Sequence, residues 1–306
     1  MGHQASDHAV ERAEQPAGAP RPRLIGRGEN WSISEFTCHL GPGDRPFEER
    51  HTDTTIAAVV EGTFRYRSAA GQALLYPGAF LVGNAGAYFE CGHDHGTGDR
   101  CIAFRFEAAL FEEIAADIVG SRGFRFPTVM IPSIPPLMAP IVDLAMAAGS
   151  ESTLALEQLA FRLAQAAIGV SSDIGPSASP SSKDQRRITN VLRYIEENAA
   201  EPLNLADLSA VAFMSKHHFL RTFRRIVGVT PHQFLLSTRM RRAATDLCTT
   251  TSPITDIAFD AGFGDLSTFN GRFRQVFGMS PGMFRRSRQR LRQDAPARPR
   301  TSRPRA

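Results

Sequence analysis

From about Trp31 to Phe106 the apolar positions fall in short runs broken by turn residues. TIAAVV, TFRYR, ALLY, AFLV, AYFEC and CIAFRF are separated by Glu61-Gly62, Ala70-Gly71, Pro77-Gly78, Gly83-Asn84 and a Gly-rich loop. Many short strands at this spacing predict an antiparallel barrel or sandwich. The period then changes. In ALFEEIAADIV, PLMAPIVDLAMAAG and STLALEQLAFRLAQAAIGV the apolar residues recur at three and four positions, which predicts helices whose small residues allow close contact. SSDIGPSASPSS, Ser171 to Ser182, has the composition of a flexible linker, and Asp184 to about Arg290 reads as helix after helix. The first 29 residues are polar and rich in Pro, Gly and charge, and predict a disordered lead-in. The tail RRSRQRLRQDAPARPRTSRPRA begins as helix and ends as Arg-Pro-rich coil.

A repeat organises the helical half. LADLSAVAFMSKHHFLRTFRRIVGVTP, Leu205 to Pro231, aligns with ITDIAFDAGFGDLSTFNGRFRQVFGMSP, Ile254 to Pro281. Phe219, Phe223, Gly228 and Pro231 match Phe269, Phe273, Gly278 and Pro281 at an offset of 50, and Leu208 and Ala212 match Ile257 and Ala261 at 49. The change of offset predicts one extra residue in the turn of the second copy. Gly228 and Gly278 stand where a helix ends in a left-handed cap. Thr230-Pro231 and Ser280-Pro281 supply an N-cap hydroxyl and a first-turn proline, and Ser252-Pro253 has the same form before Ile254.

The faces of the second helix of each copy then separate. Phe219, Phe223 and Ile226, and likewise Phe269, Phe273 and Val276, lie at i, i+4, i+7 and predict a buried stripe. His217, Leu220, Arg221 and Arg224 in one copy, and Ser267, Asn270, Gly271 and Arg274 in the other, occupy the opposite face. A helix so anchored suits a DNA major groove, with outward side chains reading base edges and arginines holding phosphates. PHQFLLSTRMRRAATDLCTT fits between the copies as one helix of roughly 30 Å, near the 34–36 Å or so between successive major-groove faces.

Charge sharpens this picture. Residues 1–180 hold 13 Lys+Arg against 21 Asp+Glu, a net of −8, whereas residues 181–306 hold 22 against 10, a net of +12. Only the second half is suited to a polyanion, and without a Trp- or Leu-rich face nucleic acid is favoured over a membrane surface. The nine arginines from Arg285 onward either add salt-sensitive DNA affinity or form a solvated terminus. The length of 306 residues suggests two domains. With no apolar signal core at the N-terminus, no run able to span a bilayer and four irregularly spaced cysteines, the expected location is the cytoplasm.

FLRTF, RMRRAATDL, ITDIAFDAGF, STF and FRQVFGMSPGMFR together resemble the AraC/XylS (arabinose-operon regulator) family of bacterial transcription factors, over about Arg187 to Arg286. The resemblance implies an all-α DNA-binding domain over 184–290, with two helix-turn-helix units, about 205–227 and 254–277, joined by a long helix. By position, His217, Leu220 and Arg221 correspond to the base-facing side of the first unit, and Ser267, Thr268 and Asn270 to that of the second, with Lys216 and Arg272 as further DNA-contact candidates. Arg224 and Arg274 correspond to phosphate contacts. FNGRF departs from the family pattern, with Gly271 where arginine is usual and Arg272 one step along, which shifts sequence preference towards the first unit. EGTFRYR and LLYPGAFLVGN are similar to the cupin-like sensing domain of many members. The implied fold class is therefore α+β: a cupin-like antiparallel barrel with trailing helices over 30–170, a linker over 171–183, the helical domain, and a basic tail over 291–306. The implied partners are promoter or operator DNA, a small-molecule effector, RNA polymerase where the chain is an activator, and a second copy bound through the helices around Ile141 to Ile168, which suit packing on their own barrel equally well.

CGHDHGTGDRC, Cys91 to Cys101, is the other constellation with chemistry. On an extended strand Cys91, His93 and His95 share a side, Cys101 can return on a neighbouring strand, and His51 is a further candidate. Thiolate and imidazole suit zinc or another soft divalent ion. A Cys91–Cys101 redox switch and a plain solvated turn pinned by Asp99–Arg100 are the competing readings. An enzyme built on such a metal is a further alternative, but no general base stands beside these ligands. Cys38 and Cys248 read as buried small hydrophobes.

Overall fold

The computed structural model describes residues 20–94, 96, 98–147, 153–171 and 180–293. Ten strands come first: β1 (Arg21–Gly28), β2 (Trp31–Cys38), β3 (Phe47–Arg50), β4 (Thr54–Gly62), β5 (Phe64–Ser68), β6 (Gly71–Leu75), β7 (Phe80–Gly83), β8 (Tyr88–Gly92), β9 (Asp99–Phe106) and, after helix α1 (Ala108–Val119), the short β10 (Met130–Ile131). They form two antiparallel sheets, a six-stranded one in the order β1-β2-β9-β4-β7-β10 and a four-stranded one in the order β3-β8-β5-β6. The arrangement is a two-sheet sandwich. The lead-in expected to be disordered through residue 29 in fact supplies β1, which pairs along β2 from Arg21↔Thr37 to Gly28↔Trp31. Backbone pairing recruits this mostly polar segment, and Ile25 packs against the adjoining apolar core.

The two sheets differ in pattern because they differ in burial. β4 is apolar almost throughout, since Ala57 and Val59 face the sheet interior while Ile56 and Ala58 face helices. A continuous apolar run is what a strand buried on both faces requires. β5 alternates instead, with Phe64 and Tyr66 inside and Arg65 and Arg67 on the outer side. A slip of one residue would reverse those faces, so the alternation fixes its register.

Helices α2 (Pro135–Ala147) and α3 (Thr153–Ser171) follow α1. Leu156, Leu159, Leu163 and Ile168 of α3 pack with Phe111 and Ile114 of α1 and with Ile33, Ile56 and Phe104 of the six-stranded sheet. The helices around 141–168 therefore cover their own sheet. The helical half comprises α4 (Ser182–Glu197), α5 (Leu205–Val211), α6 (Lys216–Val227), α7 (Pro231–Thr249), α8 (Ile254–Asp260), α9 (Leu266–Phe277) and α10 (Pro281–Gln293). Most of the expected linker, 172–179, and the tail beyond 293 lie outside the described residues.

Candidate nucleic-acid interface

Helix α6 starts because the Ser215 hydroxyl accepts the His218 N–H at 3.4 Å, and it stops at Gly228, whose φ of 81° is a left-handed cap. Phe219, Phe223 and Ile226 are buried, with ring centroids 5.5 Å apart between the phenylalanines and 6.1 Å from Phe223 to Phe234 of α7. Opposite them Lys216, His217, Leu220, Arg221 and Arg224 are all exposed. Arg225 is exposed as well, but its guanidinium donates to Asp184 of α4 at 3.2 Å. The sequence reading did not single it out, and its acidic partner is 41 residues away.

Helix α9 repeats the construction with a different cap. Asp265 accepts the Thr268 N–H at 2.7 Å, and hydrogen bonds from Thr268 hold its carboxyl below the ordinary value. Gly278, φ 72°, closes the helix. Phe269, Phe273 and Phe277 are buried, and the Phe284 ring of α10 meets Phe273 edge-on with centroids 5.2 Å apart and lies tilted 5.0 Å from Phe277. Phe277 thus takes the inward place expected for Val276, which is half-buried. Ser267, Thr268, Arg272 and Arg274 are exposed, and Arg272 donates to Gln275 at 3.3 Å. Asn270, expected to face outward, is half-buried.

The connections follow the offset in the repeat. Residues 212–215 join α5 to α6, and 261–265 join α8 to α9, one residue more. That longer turn contains Gly262 at φ 88°, where a Cβ would meet the Ala200 carbonyl at 2.6 Å. Helix α7, 19 residues, begins with a capping box in which Thr230 and Gln233 satisfy each other's backbone N–H. Pro253 itself is the N-cap of α8 and no side-chain hydrogen bond caps that helix, so Ser252 does not play the part of Thr230.

Each helix pair rests on a different part of the N-terminal half. Tyr76, fully buried, donates its hydroxyl to the Val227 carbonyl at 2.6 Å and meets Phe234 edge-on, while burial pushes its ionisation upward. Gly228 abuts Pro132, which a Cβ there would approach to 3.1 Å. Arg241 of α7 donates to the Pro77 carbonyl at 3.3 Å and to Glu196 at 2.7 Å. The second pair instead shares a core with Met138 and Val142 of α2. Asp143, also on α2, pairs with Arg162 at 3.2 Å and with Arg288 of α10.

The sulfur and imidazole candidates divide. His51 Nε2 lies 2.7 Å from the Tyr66 hydroxyl, and its ring stacks on Phe89 at 4.3 Å. Burial, with the nearby positive charge of Arg105, lowers its pKa to about 4, so the ring is neutral. His51 is thereby part of an aromatic cluster and not a ligand beside His93. His95 lies outside the described residues. His93, expected as a loop residue or ligand, is buried, with Nε2 at 2.7 Å from Asp99 Oδ1 and Nδ1 at 4.0 Å from Cys38 Sγ. Although burial opposes it, the hydrogen bond to Asp99 raises the His93 pKa to about 9. Cys101 donates to Asp99 Oδ2 at 3.2 Å, and burial raises both the Cys91 and Cys101 thiols. Cys38 is thus part of this polar cluster, not a plain hydrophobe, whereas Cys248 does lie in the core around α7. Asp99 does not pin Arg100, which pairs with Glu35 and Glu61. Both departures follow from the register Cys38↔Asp99 between β2 and β9, which no local spacing encodes.

A helical half with two capped pairs, a long joining helix and exposed basic faces defines a helix-turn-helix protein. A model described as a helix-turn-helix domain matches residues 208–287. The regulatory protein SoxS of Escherichia coli K12 is 33% identical over 101 residues, which cover 33% of this chain and 94% of SoxS. The chain belongs to the AraC/XylS family. The probable transcriptional regulator LumQ of Photobacterium leiognathi is 35% identical over 101 residues, spanning 32% of this chain and 41% of LumQ. An AraC-type transcriptional regulator from Chromobacterium violaceum is similar in structure over 35% of this chain and 96% of its own, with 27% identity and a TM-score of 0.33. No helix among the described residues is long and apolar enough to cross a membrane.

Proposed function

We propose that the chain is a sequence-specific DNA-binding transcriptional regulator whose activity is set by a small molecule bound between the two sheets. The observation that carries this reading is the stripe Lys216, His217, Leu220, Arg221 and Arg224, exposed along α6 directly opposite its buried phenylalanines. In this reading Arg221 and His217 meet base edges in the major groove and Arg224 a phosphate. Ser267, Thr268, Asn270, Arg272 and Arg274 offer a second contact with less positive reach, because Gly271 leaves the middle of α9 bare. A 19-residue α7 gives a separation of about 30 Å between the two readers, close to one turn of duplex.

An effector between the sheets is supported by the side chains that face inward there. Tyr66 and Phe89 stack at 5.4 Å beside neutral His51, and Arg105 lies over the Phe36 ring at 5.1 Å. Aromatic walls with a few fixed polar groups suit a small organic ligand. Tyr76 and Pro77, at the end of the four-stranded sheet, bond directly to the helical half, so displacement of those strands bears on Val227 and Arg241.

The test is selection of bound fragments from a genomic library at physiological salt. A shared motif with two elements about one helical turn apart is expected. Recovery of no motif, with affinity that only falls as salt rises, would leave the basic charge as the sole source of binding and remove the sequence-reading claim.

A further inference from the structure

We propose that the edge of the sandwich where β2, β8 and β9 meet is a binding site for a divalent ion of the zinc class. Cys38 Sγ and His93 Nδ1 are its first ligands, Cys101, which donates to Asp99, is a further thiol beside them, and Asp99 positions the imidazole. The site is separate from the DNA-reading helices and stands whether or not α6 reads sequence.

The topology brings these residues together from both sheets. Cys38 ends β2 and Asp99 begins β9, directly opposite one another, and Cys101 follows two residues on, on the same inward face. His93 comes from the other sheet, just after β8. One ligand atom from each of Cys38, His93 and Asp99 lies within 4.8 Å of the others. Cys38 and His93 are shielded, at 2% and 4% exposed, and Asp99 is half-buried.

The orientation of His93 is the decisive feature. With Nε2–H donating to Asp99 Oδ1 at 2.7 Å, Nδ1 faces Cys38 Sγ 4.0 Å away, and loss of the Nδ1 proton as the ion binds frees a lone pair on that side. A carboxylate behind an imidazole is the usual way a metal-binding histidine is aimed and made more basic. Zinc bonds of about 2.3 Å to sulfur and 2.0 Å to nitrogen at a tetrahedral angle set the two donors about 3.5 Å apart, so a contraction of about half an ångström closes the site. Cys101, now donating to Asp99 Oδ2 at 3.2 Å, lies alongside. Each thiol that binds, and the His93 ring at Nδ1, releases its proton to solvent, and the ion takes the place of those protons on sulfur and nitrogen.

A plain His93–Asp99 ion pair accounts for those two residues but not for a sulfur placed at the second imidazole nitrogen, where Cys38 Sγ lies 4.0 Å from Nδ1. Soft sulfur and borderline nitrogen donors select zinc over magnesium or calcium. A buried donor set containing thiolate suits a structural or sensing ion. Ligands from two sheets would also staple the sandwich at this edge.

The full-length reduced chain is loaded with Zn2+, dialysed against metal-free buffer and analysed for metal; parallel samples are titrated with Co2+ and read by absorption. One zinc per chain is expected, with a near-ultraviolet thiolate-to-cobalt band. Cys38→Ser and His93→Ala should each weaken binding by at least about tenfold, while Cys248→Ser, altered in the α7 core, should bind as wild type. If either ligand variant fails to give a wild-type circular dichroism spectrum, the cobalt spectrum of the unmodified chain decides alone. A folded wild-type chain that retains no metal, a cobalt complex without a thiolate band, or unchanged affinity in folded Cys38→Ser and His93→Ala would overturn the proposal.

Discussion

Helices α6 and α9 hold matching phenylalanines, Phe219/Phe223 and Phe269/Phe273, at full burial, and each ends on a glycine with positive φ. Their exposed faces diverge. On α6 the stripe runs Lys216, His217, Leu220, Arg221, Arg224; on α9 it runs Ser267, Thr268, Gly271, Arg272 and Arg274, with Asn270 drawn half inside. Packing leaves little choice of residue on the inner face, because a lost ring leaves a cavity. The outer face has no such constraint, so the two copies kept one scaffold and different surfaces. Their supports differ too: the first pair docks on strands through Tyr76 and Pro132, the second on α2 through Met138 and Val142. An event in the sandwich therefore reaches the two pairs by separate routes.

The largest effect should treat the pairs alike. Phe223→Ala and Phe273→Ala should each cost about 3–5 kcal/mol, measured by denaturant unfolding; a large cost in one and none in the other would break the claim of a common scaffold. The next should treat them differently. Arg221→Ala should cost about 1–3 kcal/mol of discrimination at one base pair, whereas Arg272→Ala should weaken binding to all sequences and lower the salt slope by about 1. Equal changes in specificity from both would remove the asymmetry. Tyr76→Phe deletes the bond to the Val227 carbonyl and the hydrogen bond with the Ser133 backbone, and should cost at least about 0.5–1.5 kcal/mol. The smallest change adds charge to the barer helix. A Cβ at Gly271 meets nothing within 4 Å, so Gly271→Arg should gain up to about 1 kcal/mol in helix stability and steepen the salt dependence of DNA binding. A loss of stability there would show that the glycine serves packing.

Much of this was legible in the chain because it is local. The fifty-residue offset located both helix pairs, the glycine caps and the inward phenylalanines, since periodicity and capping are properties of neighbouring residues. The short apolar runs gave β4 to β9 in the same way. What escaped depends on pairing between distant segments. β1 is mostly polar and exists because its backbone bonds to β2; Cys38 joins His93 only through the register with Asp99; His51 turned to Tyr66 and Phe89, away from His93. Val276 and Phe277 are adjacent, and the choice between them was made by Phe284, one helix later.

The central claim is that sequence is read chiefly through the first pair. Its most direct test is fragment selection run in parallel with wild type, Arg221→Ala and Arg272→Ala at fixed salt. The account predicts that the Arg221 variant loses one element of the recovered motif while the Arg272 variant recovers both with lower yield. Loss of the motif in the Arg272 variant with its retention in the Arg221 variant would contradict the assignment.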